Sequence, residues 1–204
     1  MHISEGVLTI PALLGGGIIT AAGTMIGLKK IDYDQVMTIG LFSSAFFIAS
    51  FIHVPLGPTS VHLLLNGLLG LILGWAAFPA ILAALFLQAV LFQYGGIIVL
   101  GVNTTIICLP AVFFGLLLKP GLQSNGKKRL LVSFGAGFLS VIGSSLLMAG
   151  SLILSNEGFQ TASYLLVLWN LPIAVLEGII TMFTVSFLAR VQPEILSFSL
   201  EKLP

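Results

Sequence analysis

The sequence predicts an all-α polytopic membrane protein, and three observations support this fold class. Hydrophobic residues make up 57% of the 204-residue chain and charged residues only 7%, whereas a typical soluble domain carries about 25% charged residues. The apolar residues occur in long runs, whereas the strands of a transmembrane barrel would alternate apolar and polar residues. No soluble stretch is long enough for a second domain. We therefore predict one integral membrane domain over residues 1–204, embedded in a lipid bilayer.

Seven apolar segments approach the length of about 20 residues that an α-helix needs to cross a bilayer. They cover residues 8–28, 35–52, 59–75, 77–97, 103–118, 130–154 and 163–189. Only a break between Gly74 and Pro79 separates the third segment from the fourth. Residues 193–204 contain Pro193 and three charged side chains, so we expect them to lie at the membrane surface.

The basic residues indicate the orientation of the segments. They follow the first, fifth and seventh segments: Lys29, Lys30, Lys119, Lys127, Lys128, Arg129, Arg190 and Lys202. Seven transmembrane helices with the N-terminus outside would place all eight on the cytoplasmic side, as the positive-inside rule requires. Six helices would leave one cluster outside. We therefore predict seven spans, an outside N-terminus and a cytoplasmic C-terminus.

Several function classes are disfavoured. A net charge of +1 gives no basis for nucleic-acid binding. The single cysteine, Cys108, cannot form an intrachain disulfide. Residues 121–128 resemble a nucleotide-binding P-loop, but Lys128 stands where Ser or Thr must hold Mg²⁺. We predict neither a nucleotide site nor enzymatic activity, and no catalytic cofactor.

The predicted topology places all three histidines in the outer part of the protein, and the first of them follows Met1. Residues 1–6 do not resemble a signal peptide, because Glu5 stands where basic residues are expected. The Met1 amine, the His2 backbone nitrogen and the His2 imidazole could bind one ion in a plane. That arrangement suits Ni(II) or Cu(II) better than Zn(II). The alternative for His2 is that it is merely the second residue of a frayed terminus. His53, at the end of the second segment, could be a further metal ligand or an ordinary interfacial residue.

His62 and Asn66 are four residues apart at the start of the third segment. On a helix they would share one face. Asn66 could then orient His62 as a metal ligand, since imidazole ligands usually have their second ring nitrogen held by an acceptor. The alternative is that the two residues only join helices through hydrogen bonds.

Glu177 is the only acid deep within a predicted span. An ionisable group at that depth is a functional candidate by default. It could pair with a polar group, line an ion path or serve as a hydrogen-bond anchor. Asn103, at the outer end of the fifth segment, could contribute an amide to a small pocket or merely face water.

Small residues in the first span form two small-xxx-small pairs, Gly17 with Ala21 and Gly23 with Gly27. Such faces allow another helix to approach closely. They could serve packing within the chain or docking of a partner subunit.

Three parts of the chain together resemble the CbiM/NikM family, the substrate-capture (S) components of energy-coupling-factor transporters for cobalt and nickel. These parts are residues 1–6 (MHISEG), 57–63 (GPTSVHL) and 177–196 (EGIIT through FLARVQPEIL). The resemblance implies a six-helix S-component core with an additional N-terminal span. It also implies a location in the prokaryotic inner or plasma membrane.

The resemblance further implies a metal site formed by Met1, His2 and His62, which together supply four nitrogen ligands for Ni(II), with Co(II) also bound. The stretch Thr59–His62 looks more like the nickel branch than the cobalt branch. The implied partners are a transmembrane coupling (T) protein, two cytoplasmic ATPase subunits and a small auxiliary membrane subunit.

Two other functions remain open. A self-sufficient secondary transporter would couple metal uptake to protons through Glu177, but the paired broken helices typical of such transporters are not evident. A membrane scaffold without a ligand would use its polar residues only to join helices.

Overall fold

The computed structural model describes residues 3–56, 59–124 and 126–197, and this part of the chain is a bundle of α-helices with one short β-hairpin. The elements in chain order are α1 (Ile10–Lys29), α2 (Val36–Ala49), β1 (His53–Leu56), β2 (Thr59–His62), α3 (Asn66–Leu73), α4 (Ala77–Phe92), α5 (Leu100–Leu118), α6 (Lys127–Ser155), α7 (Gln160–Val191) and α8 (Glu194–Ser197). Short 3₁₀ turns lie at Tyr33–Gln35, Gly74–Ala76, Lys119–Gln123 and Glu157–Phe159.

Five helical segments in the described residues are long and apolar enough to cross a membrane. They are Ile10–Lys29, Asn66–Phe92, Leu100–Gln123, Lys127–Ser155 and Glu157–Val191. The predicted class, a helical multi-pass membrane protein, is confirmed at this level. The 14-residue α2 is shorter than these segments.

The segment Asn66–Phe92 reverses direction in its middle. The Ile72 carbonyl, near the end of α3, accepts a hydrogen bond of 3.1 Å from the Lys119 ammonium just after α5. The Ala77 carbonyl, only five residues later, lies 3.8 Å from the Cys108 thiol, three turns back along α5. The chain turns at Gly74, whose φ of +56° belongs to a region that glycine adopts readily. As a result, α3 runs parallel to α5 and α4 runs back toward the end of α2.

The third predicted span is wrong in its first half. We expected a helix from residue 59, but residues 59–62 form strand β2, which pairs antiparallel with β1. Prolines and β-branched residues favour extended backbone here, as at Pro55 and Val61. The helix begins only at Asn66, because the preceding Leu65 has a left-handed backbone conformation, with a φ of +50°, which a right-handed helix does not include.

Helix α1 packs closely on α4 and α5 through its glycines. A Cβ atom added at Gly23 would lie 2.6 Å from the Phe78 ring, and one at Gly27 would lie 2.5 Å from the Trp75 carbonyl oxygen. Docking of a partner at these two glycines is therefore contradicted, since both already serve packing within the chain. Gly17 lies against Gly101 of α5, whereas Ala21 is exposed and its docking role stays a prediction.

Candidate metal centre

Asn103, in the first turn of α5, holds the backbone of Ile3 at two points. The Ile3 N–H donates to Asn103 Oδ1 at 3.0 Å, and Asn103 Nδ2 donates to the Ile3 carbonyl at 3.1 Å. Both residues are buried, with Ile3 2% exposed. One amide side chain thus pairs both backbone groups of the residue that follows His2, which holds the N-terminal segment against the start of α5.

The rest of the N-terminal segment is tied down at two further positions. The Glu5 carboxylate accepts a hydrogen bond from the Ile98 N–H at 3.1 Å, just before α5. The Thr9 N–H donates to Ser155 Oγ at 3.3 Å, at the end of α6. These contacts make the segment preceding α1 an ordered part of the bundle, which supports the idea that residues near the terminus contribute to a site.

His62 ends strand β2 and is half-buried. Its Nδ1 lies 3.1 Å from the Leu63 carbonyl oxygen. A tautomer that donates from Nδ1 to this carbonyl carries its lone pair on Nε2, as a metal ligand requires. Its role as a metal ligand through Nε2 stays a prediction.

His53 lies directly opposite His62 in the antiparallel ladder of the hairpin. Two of the three histidines therefore occupy paired backbone positions, whereas the predicted placement of all three on the outer side of the membrane stays a prediction. The third, His2, and the preceding Met1 lie outside the described residues, so their proposed role as ligands stays a prediction.

Glu177 of α7 contacts the backbone immediately after His62. Its Oε1 accepts hydrogen bonds from the N–H groups of Leu64 and Leu65, the second at 2.9 Å, and its Oε2 accepts from Leu65 N–H at 3.0 Å. The carboxylate is fully buried. Of the roles left open for Glu177, the structure shows a hydrogen-bond anchor, and its partners are backbone groups.

The expected pairing of Asn66 with His62 is wrong. His62 belongs to a strand and Asn66 begins α3, so the two do not share a helix face. The fully buried Asn66 amide instead donates to the Ile107 carbonyl at 3.2 Å and to Ser144 Oγ at 3.0 Å. Asn66 thus joins α3 to α5 and α6, which is the structural alternative considered above.

Helix α5 brings the N-terminal segment and the start of α3 to neighbouring positions. Asn103 holds Ile3, and Ile107 accepts from Asn66. Residues four apart on a helix lie on one face, about 6 Å apart along the axis. The chain next to His2 and the chain just after His62 are therefore attached to successive turns of the same helix.

Several of these contacts have no signal in the sequence. Ser144 is one of many small residues in α6, and the partners of Glu177 are backbone amides that no residue type marks. Within residues 3–56, 59–124 and 126–197, no group of three or more His, Cys, Asp or Glu residues could hold a metal ion.

Comparison with known proteins finds similarity to a family and to relatives that are named for metal transport. The CbiM family model, described as a cobalt uptake substrate-specific transmembrane region, matches residues 2–195. A Haemophilus influenzae protein named for a proposed role in metal transport is 42% identical over 200 residues, covering 97% of each chain. The cobalt transport protein CbiM of Sorangium cellulosum is 26% identical, covering 96% of this chain and 94% of the other.

A relative named for nickel transport and a solved structure also match this chain. The fused nickel transport protein NikMN of Rhodobacter capsulatus is 26% identical, covering 97% of this chain and 64% of that longer protein. A crystal structure of a transition metal transporter superposes with a TM-score of 0.82 at 25% identity, covering 99% of this chain and 98% of the other.

Proposed function

The chain belongs to the CbiM family, and on that premise we propose that it binds Ni(II), or Co(II), as the substrate-capture component of an energy-coupling-factor transporter. Its relatives include proteins named for cobalt transport and for nickel transport. Nickel is the favoured cargo because the proposed ligands are four nitrogens in a plane.

The proposed ligands are the Met1 amine, the His2 backbone nitrogen, the His2 imidazole and His62 Nε2. The observation that carries this proposal is the two-point bond between Asn103 and Ile3, which holds the residue after His2 inside the bundle. Because α5 also anchors the chain just after His62, a short N-terminal arm would close onto the His62 hairpin. Binding would displace protons from the amine and the backbone nitrogen.

In the proposed topology the chain crosses the membrane seven times, with the N-terminus outside and the C-terminus cytoplasmic. Support comes from the reversal between α3 and α4, which makes two oppositely directed helices of one apolar segment. The basic clusters at residues 127–129 and at Arg190 then lie at the cytoplasmic ends of α6 and α7.

The energy for transport would come from other subunits, because the chain has no complete P-loop. The proposed partners are a T protein, two cytoplasmic ATPase subunits and a small auxiliary membrane subunit, assembled in the prokaryotic plasma membrane. The proton-coupled alternative would need Glu177 to serve an ion path, whereas its carboxylate accepts backbone hydrogen bonds. Uptake into proteoliposomes by this chain alone would favour that alternative.

Nickel titration of the purified protein tests the function through His62. We expect His62→Ala to weaken binding by at least about 100-fold, the upper end of what loss of a group supporting a metal ligand costs. His53→Ala, at the opposing ladder position, is the matched control and should bind within a few-fold of the wild type. Equal affinity of His62→Ala and the wild type would exclude His62 as a ligand.

Asn103→Leu tests whether the N-terminal arm must be held in place. The leucine would leave the buried N–H and carbonyl of Ile3 without Asn103, so the arm should detach because unpaired buried backbone groups are costly. We expect nickel affinity to fall by about 10- to 100-fold, measured by equilibrium dialysis. Thr104→Val is the control, because within the described part of the chain the buried Thr104 hydroxyl donates to Leu100 of its own helix. A wild-type affinity for Asn103→Leu would contradict this role.

A further inference from the structure

The backbone between His62 and α3 has an unusual conformation, and two of its N–H groups contact the side chain of Glu177. Leu65 adopts a φ of +50°, which is uncommon for a residue other than glycine, asparagine or aspartate. The N–H groups of Leu64 and Leu65 both point to the Glu177 carboxylate. Successive N–H groups in such a turn form a concave site for an anion, and here a side chain of the same protein fills it.

These hydrogen bonds offset the cost of burying the acid. A buried carboxyl group without partners is costly, and the Leu64 and Leu65 N–H groups supply partners to both of its oxygens. The carboxylate also lies next to the N-terminus of α3, where the helix dipole favours negative charge. The turn and the acid therefore stabilise each other.

Glu177 is itself held by a close contact between α6 and α7. A Cβ atom added at Gly137 of α6 would lie 2.6 Å from the Glu177 backbone oxygen, so the two backbones meet at this residue. The carboxylate thus projects from a part of α7 that is in backbone contact with α6. One turn later, Thr181 is equally buried, but its hydroxyl has no hydrogen-bond partner among the described residues.

We propose that Glu177 is a positioning residue for metal binding, which holds Leu64 and Leu65 and thereby sets the place of His62 two residues earlier. It acts through the backbone, without touching the metal. This inference rests on the proposed role of His62 as a ligand. It connects α7, which extends to the opposite end of the bundle, to the segment that carries the ligand.

The test is a double-mutant cycle on nickel affinity, using Glu177→Leu and Glu177→Gln in the wild-type and His62→Ala proteins. We expect Glu177→Leu to weaken binding by about 10- to 100-fold. Glu177→Gln should weaken it less, because the glutamine keeps one acceptor and places a donor against the Leu65 N–H. In the His62→Ala protein, either change should alter affinity by less than about twofold, since residues that act through one ligand are not additive.

Thr181→Val is the matched control, being a change of buried polarity on the same helix, and should leave nickel affinity unchanged. Hydrogen exchange of the Leu64 and Leu65 amides should accelerate in Glu177→Gln and not in Thr181→Val. Wild-type affinity in both Glu177 variants, or equal losses with and without His62, would overturn the positioning role. If His62→Ala alone binds normally, the proposed ligand set fails instead.

Discussion

Four glycines added before Met1 should abolish tight nickel binding. The addition converts the Met1 amine into a peptide nitrogen and moves the free amine four residues away, too far from His2 to share one chelate with its imidazole. The amine, one of the four proposed nitrogen ligands, would then be lost. We expect the affinity measured by nickel titration to fall by about 1,000-fold or more, which corresponds to about 4 kcal/mol.

The control for this extension is a protein with a removable N-terminal segment, titrated before and after proteolysis that restores Met1 as the first residue. Proteolysis should recover wild-type affinity, because residues 3–9 keep their contacts with Asn103, Ile98 and Ser155. Four glycines placed after Pro204 should have no effect. If the extended protein binds nickel as tightly as the wild type, the terminal amine is not a ligand.

The helical membrane class could be predicted from composition because a bilayer permits few backbone structures. In hydrocarbon every backbone polar group must be paired internally, which favours helices wherever long apolar runs occur. The same apolar character does not distinguish a short strand from a helix, so the helix predicted for residues 59–62 is wrong and these residues form a strand. That error produced the false helical pairing of His62 with Asn66.

The polar side chains of the candidate site could be predicted from the sequence, whereas the backbone groups that they contact could not. Glu177 and Asn103 were recognised as candidates because polar groups in apolar segments are costly. Their partners were not recognised, since Leu64, Leu65 and Ile3 contribute N–H and carbonyl groups that every residue has. Only the fold shows that both candidates hold the chain beside a proposed ligand.

The same limitation applies to the contact between α3 and α5, which depends on two glycines far apart in sequence. Gly70 of α3 and Gly115 of α5 lie against each other's helices, so that a Cβ at Gly70 would meet the Ala111 carbonyl and one at Gly115 would meet the Gly70 backbone. Neither glycine belongs to the small-residue pairs found in the first span. The close approach positions α3, whose first residue lies four after His62.

Gly70→Ala should therefore destabilise the protein strongly. The added methyl group would strike backbone atoms of Ala111, which cannot move aside as a flexible side chain can. Overpacking of this kind costs about 1–3 kcal/mol or more, so the temperature of thermal unfolding in detergent should fall by roughly 2–12 °C. Nickel affinity should fall as well, because α3 can only relieve the clash by shifting away from α5.

Gly15→Ala is the matched control, since it makes the same chemical change within another helix where a Cβ would meet nothing within 4 Å. Alanine is favoured over glycine in a helix by about 1 kcal/mol. We therefore expect Gly15→Ala to raise the unfolding temperature or leave it unchanged, opposite in sign to Gly70→Ala. If both substitutions were tolerated equally, α3 and α5 would not be in backbone contact, and the attachment of the His62 segment to α5 would have to be abandoned.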